Sequence, residues 1–215
     1  MTTPNTPQPQ RKSDGKGWLD FGPRNLSRDN ENPDILVPPV TDHGTMPNMR
    51  YSFSDAHNRM EEGGWAREVT IRELPASDEL AGVNMALAPG AYRELHWHKE
   101  AEWGLMLYGN ARITVFNSNG LARTYDFSAG DVGYVPNVAG HYVQNTGDET
   151  LVFVEVFRNP DYSDISLNKW LATTPVNNVA EHLNLPKELV QNLPQAETPQ
   201  PVIWFDKDKA AKKPF

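Results

Sequence analysis

The stretch GAYRELHWHKEAEWGLMLYG, residues 90–109, sets two imidazoles two positions apart and a carboxylate four further on, within runs that alternate apolar and polar residues. Such alternation marks a β-strand with one face buried, and on a strand residues i and i+2 point the same way. His96 and His98 therefore share a face, with ring nitrogens near enough to hold one ion. A tight turn returns the chain, and Glu102 opens the next strand with an oxygen donor beside the two nitrogens. His141, at the start of a later strand, could complete a set of three imidazoles and one carboxylate. With no thiolate, that set suits Mn2+ or Fe2+ in six coordination and leaves two positions for substrate, dioxygen or water, whereas zinc more often settles for fewer ligands. The competing reading is a solvated strand face for the two histidines, with His141 a satisfied core residue.

Working outward, short runs such as WAREVTIREL, GVNMALAP, ARITVFN and LVFVEVF recur every eight to twelve residues between Trp65 and Arg158, separated by PG, NSNG, SAGD and NTGDE turns. That spacing predicts an all-β antiparallel sandwich or barrel. After Pro160 the period lengthens, and SLNKWLATTP, VNNVAEHLNL and PKELVQNL read as two or three short helices, the last with Pro186 in its first turn. The layout expected is a flexible tail at 1–30, an extended proline-dotted arm at 31–64, the β-barrel at 65–158, a lid segment with helices at 159–195, and a C-terminal tail at 196–215.

The chain has 215 residues, of which 38% are hydrophobic, enough for one good core but short for two complete domains. Its net charge of −8, with dispersed Lys and Arg, argues against nucleic acid or an anionic membrane as partner. There is no cysteine, so disulfides, thiolate-bound metals and thiol catalysis are excluded. The polar, Pro-rich opening and the lack of any run of transmembrane length lead to a soluble, cytoplasmic expectation.

From Gly90 the pattern runs five residues to His96, then His98, three to Glu102 and six to Gly109, and it resembles the first signature motif of the cupin superfamily at every fixed position. Gly130, Pro136, His141 and Asn145 resemble the second. Val138 stands where many cupins have glycine, so the turn before His141 is expected to differ. Residues 33 to 190 look like modules of the two-barrel oxalate decarboxylases, with features of both halves combined around one barrel. The resemblance implies a double-stranded β-helix, or jelly-roll barrel, with an extended N-terminal arm and short C-terminal helices.

It also implies roles. Glu155, a carboxylate within the apolar run LVFVEVF, matches a family glutamate near the manganese that serves as proton donor or acceptor. Leu151, Phe153, Glu155 and Phe157 share a strand face, so a barrel-lining face would put Glu155 in an apolar cavity. Arg93 matches the arginine that holds the oxalate carboxylate. Strand parity opposes it, being three residues from His96: either a kink follows Pro89 and Gly90, or Glu94 is the inward residue. In the stretch RNPDYSDIS, which falls where the family has a mobile lid, Asp161 takes the lid-acid position and Asp164 is a second candidate; otherwise both are caps for a helix beginning near Ser166.

The function implied is manganese-dependent decarboxylation of oxalate with dioxygen as co-reactant. The alternatives are oxalate oxidation to carbon dioxide and peroxide, an iron or manganese dioxygenase or isomerase of another small acid, and a storage or sensing barrel. A homo-oligomer, as a dimer or a trimer of dimers, is expected from the apolar-dotted arms. Trp97, Trp103, Tyr134 and Phe153 read as core or site-supporting residues, and His43, His57 and His182 have no assigned partner.

Overall fold

A computed structural model describes residues 49–193 and 203–205; the tail at 1–30, His43 and most of the two arms lie outside these. The strands are β1 (Asn58–Glu61), β2 (Gly64–Val69), β3 (Ala81–Leu87), β4 (Ala91–Trp97), β5 (Glu102–Tyr108), β6 (Asn110–Phe116), β7 (Ala122–Ser128), β8 (Val132–Val135), β9 (Gly140–Asn145), β10 (Leu151–Phe157), β11 (Ile165–Ser166) and β12 (Ile203–Phe205). They form two sheets, ordered β1-β2-β3-β10-β5-β8 and β11-β4-β9-β6-β7, with β12 also on β4. Every pairing is antiparallel, so the all-β jelly-roll expectation is met. The first strand begins at Asn58, within the stretch read as an extended arm, and β12 lies in the stretch read as a tail.

The run LVFVEVF becomes β10, near the middle of the first sheet between β3 and β5. Leu151, Phe153 and Phe157 point into the barrel core, where they meet Met85, Ile113 and Val143 of both sheets. The strand is apolar on its other face as well because Val152 packs outside the barrel against Trp65 and Ala86. Burying each such large side chain contributes about 1.5–3 kcal/mol.

Strand β4 departs from simple alternation. Its pairing with β9 goes from Arg93↔Val143 to His96↔His141, three steps on β4 against two on β9. One extra residue on one strand is a β-bulge, and it shifts parity locally. Arg93 and His96 thereby both face the interior although they are three apart. The far edge of β4 is covered by β12 opposite Ala91–Arg93 and by β11 opposite His96 and Trp97, which leaves little of it open to stray pairing. Gly109 turns the chain from β5 to β6 at φ 83°, and a Cβ there would sit 2.9 Å from the Leu151 Cα. Only glycine meets both demands.

Beyond the barrel come α1 (Leu167–Thr173), α2 (Val176–Leu183) and α3 (Lys187–Gln191), with a small core of Val179, Ala180 and Val190. Ser166, not an aspartate, caps α1 by accepting from the Lys169 N–H at 3.1 Å. Pro186 stands one position before the first turn of α3, as its N-cap. No helix among the described residues is long and apolar enough to cross a membrane.

Candidate metal centre

His96 on β4, His98 just after it, Glu102 at the start of β5 and His141 on β9 are all buried, and their ligand atoms lie within 4.8 Å of one another. Ring centroids of His96 and His141 are 4.1 Å apart, and those of His96 and His98 4.8 Å. Each imidazole is oriented from behind: the Nδ1 of His96 lies 2.7 Å from the Glu94 carbonyl, that of His98 2.9 Å from the Ser163 carbonyl, and that of His141 3.1 Å from the Ala139 carbonyl. A carbonyl only accepts, so each Nδ1 carries a proton and each Nε2 is turned inward.

The Glu102 carboxylate faces those nitrogens, its Oε2 3.0 Å from His141 Nε2 and 3.4 Å from His98 Nε2. Three imidazole nitrogens and a carboxylate converging in a buried space call for positive charge among them. The donor set fits a hard-to-borderline divalent ion held by nitrogen and oxygen. Burial pushes the His96 ring well below the ordinary imidazole pKa, and Arg93, His141 and His98 push the same way, so the neutral, ligating form prevails. For Glu102 burial acts upward, but the His141 and His98 imidazoles outweigh it and hold the carboxyl well below the usual range.

Glu155 enters the same interior from β10, 2% exposed, with Oε1 lacking a hydrogen-bond partner among the described residues. Burial first, and the negative Glu102 second, raise its carboxyl well above an ordinary carboxylate, against the pull of Arg93. Arg93 is fully buried by virtue of the bulge, close enough for its charge to act on both His96 and Glu155. Glu94 is also buried, and joins Arg93 Nη1 at 3.3 Å and the Asn168 amide at 2.9 Å. Both residues weighed for the inward position are thus interior, and they pair with each other.

The two lid aspartates part company. Asp161 is exposed, its side chain 3.8 Å from Arg72 at the surface, and it does not reach the cluster. The cause is its own turn, in which the Asp161 N–H donates to Asn159 Oδ1 at 2.9 Å. Asp164 goes inward and forms a close ion pair with Arg93, both side chains fully buried. Tyr162, not singled out from sequence, brings a buried hydroxyl beside the site, with its ring 5.6 Å from His98 and 5.1 Å from Phe157. A lone aromatic in the polar run NPDYSD was the available signal.

Phe153 is buried core and Trp97 is half-buried, its ring 5.9 Å from that of Trp170. Trp103 and Tyr134 point outward instead of supporting the site, since each lies one residue out of phase with the inward positions 102 and 135. His57 and His182 are exposed. Val138 keeps φ at 57°, a conformation that glycine adopts freely and a β-branched residue does not.

Residues 51–191 match the profile of the family described as Cupin. The chain is 50% identical over 194 residues to oxalate decarboxylase OxdC of Bacillus subtilis (strain 168), covering 89% of this chain and 50% of that protein. An oxalate decarboxylase of Arthroderma benhamiae is 44% identical over 133 residues, covering 61% of this chain and 31% of that one. A solved structure of the B. subtilis oxalate decarboxylase, from work on its Mn(II) centres, superposes with TM-score 0.74 at 47% identity and covers 93% of this chain and 52% of that one. The Lactobacillus farciminis oxalate decarboxylase in complex with formate gives 0.71 at 48% identity, with 78% and 49% covered. This chain spans half or less of the length of these curated relatives.

Proposed function

The chain belongs to the cupin family, and from that premise we propose that it is a manganese-dependent oxalate decarboxylase, a cytoplasmic carbon–carbon lyase that converts oxalate and a proton to formate and carbon dioxide. The observation that carries this reading is one buried cation, Arg93, and one carboxyl raised by its surroundings, Glu155, beside the same four-residue metal cluster. A small dianion needs the first and its product needs the second.

His96, His98, Glu102 and His141 would hold the manganese, which supplies a positive charge for one carboxylate oxygen and, with dioxygen, a reversible sink for one electron. The remaining work belongs to the chain. Arg93 presents a planar fork of donors to the other carboxylate and fixes its orientation. In the absence of substrate, Asp164 occupies that fork, so an arriving carboxylate exchanges with it. Glu155, its carboxyl raised by burial and by Glu102, gives its proton to the carbon left behind by carbon dioxide. Phe153, Phe157 and Met106 keep the surroundings dry, which strengthens each of these charge interactions.

The dianion has a polar way in. A depression of about 420 Å³ beside the segment 160–166 is ringed by Arg59, Arg72 and Lys169, with one acid, Glu68, paired to Arg59, and is floored by Tyr162 and Asp164. Positive rims of this kind draw anions inward.

Incubating the purified protein with manganese and oxalate under air tests the reading: formate and carbon dioxide in equal amounts are expected. The exposed position of Asp161 favours one other outcome, oxalate oxidation, since the acid at that lid position faces solvent and does not back up Glu155. Peroxide without formate would decide for it. The same proposal includes a homo-oligomer, supported by exposed Leu95, Phe116, Val138 and Trp170 on the outer side of the second sheet and its helix.

A further inference from the structure

A second cavity, of about 270 Å³, reaches the cluster from the side opposite in character to the polar depression. Glu102 is its one charged lining residue, and its walls are Met106, Ile113, Val115 and Phe127. It opens at Tyr125, Val132 and Tyr134, which are exposed, and ends at a buried ligand carboxylate. Two glycines lie directly opposite each other in its lining, Gly104 on β5 and Gly133 on β8: Gly104 leaves the open room, while a Cβ at Gly133 would sit 3.3 Å from the Phe127 ring, so Gly133 seats that wall. Glycine inside a strand weakens it, and a facing pair of them doubles that cost, so the empty space calls for a use.

We propose that this cavity is an apolar entrance through which dioxygen reaches the metal centre, separate from the lid-side path of the dianion. The inference rests on the oxalate reading for the need of dioxygen, and on the lining for the choice of ligand. No lysine or arginine lines the cavity, so a dianion entering it would lose its hydration with no cation in return, at prohibitive cost. A small neutral molecule pays no such penalty and gains dispersion contacts with the apolar walls. Separate routes also let dioxygen arrive while the segment 160–166 lies closed over bound oxalate.

Xenon is the probe for the site itself, by pressurised crystals or 129Xe NMR of the full chain without manganese. The parent should bind xenon among Met106, Ile113 and Phe127, and Gly104→Leu should abolish it. The space at Gly104 is real: an added Cβ would lie 3.9 Å from Glu102 Oε1 and from Met106 Cε, ordinary contact distances. Val132→Phe, at the exposed rim and away from Glu102, provides an independent plug. In manganese-loaded protein both plugs should raise the KM for dioxygen about threefold or more while the KM for oxalate moves less than about twofold. Lys169→Glu, on the polar rim, should do the reverse. An empty parent cavity under xenon, or a dioxygen KM unmoved by either plug, would overturn the entrance. Xenon seated in a protein inert to oxalate would retain the gas site and discard the decarboxylase.

Discussion

At the scale of single residues, Glu155 and Asp164 show how one interior treats two carboxyls differently. Burial and the neighbouring Glu102 raise Glu155, so the native state keeps a proton that the unfolded chain releases near the ordinary carboxylate value. Its contribution to stability is therefore whole at acid pH and falls as pH climbs toward the raised native pKa. Metal-free Glu155→Gln, which cannot titrate, should exceed the parent in denaturant-measured stability near pH 7 by about 1 kcal/mol or more, with the gap closing toward about pH 4. Manganese-loaded, the same variant should lose about 10²–10⁴ in kcat for formate production while keeping its metal content. Asp164 instead is paired with Arg93. Asp164→Asn should relax that hold and lower the KM for oxalate about threefold to tenfold; a higher KM would mean that Asp164 orients Arg93 for the substrate. The convergence of His96, His98, Glu102 and His141 was legible in sequence because spacing on strands fixes direction. Asp161 and Asp164 were not separable, since a loop has no period from which an inward side can be read.

Among the elements, β4 and the turn before His141 carry the departures from simple rules. Alternation alone sends Arg93 outward, and only the extra residue opposite β9 brings it in beside His96. The bulge leaves no compositional mark, so the sequence could state the conflict without resolving it. The short strand β12 was illegible for another reason: three residues of a tail become a strand only when the edge of β4 is there to pair with. At the turn, Val138 takes a positive φ and its N–H donates to the His98 carbonyl at 2.9 Å. The backbone accepts the strain to keep that link between two ligand-bearing segments. Val138→Gly should relieve it and raise stability by about 1 kcal/mol, read as a higher Tm of the metal-free protein.

For the whole molecule, the barrel is a frame that brings carboxylates and imidazole nitrogens together, and a bound ion would compensate them. Removing manganese with a chelator should lower the Tm markedly, and readdition should restore it, because an ion bound to the native state alone stabilises by mass action. His96→Ala should abolish that metal-dependent shift. Light scattering at micromolar concentration should report an oligomer; a monomer would leave the exposed apolar positions on the second sheet without cover. The two-sheet architecture followed from strand periodicity, whereas the apolar cavity beside Glu102 depends on two glycines meeting across strands far apart in sequence, which no local pattern reveals.

The Ser163 carbonyl that steadies His98 lies between Tyr162 and Asp164, so one imidazole takes its alignment from the very segment that covers the pocket. An excursion of that segment away from Arg93 would also remove the acceptor from His98 Nδ1. On the proposed reading, admission of oxalate and retention of the ion would then be mechanically linked, with a bound manganese most exchangeable while the doorway stands ajar.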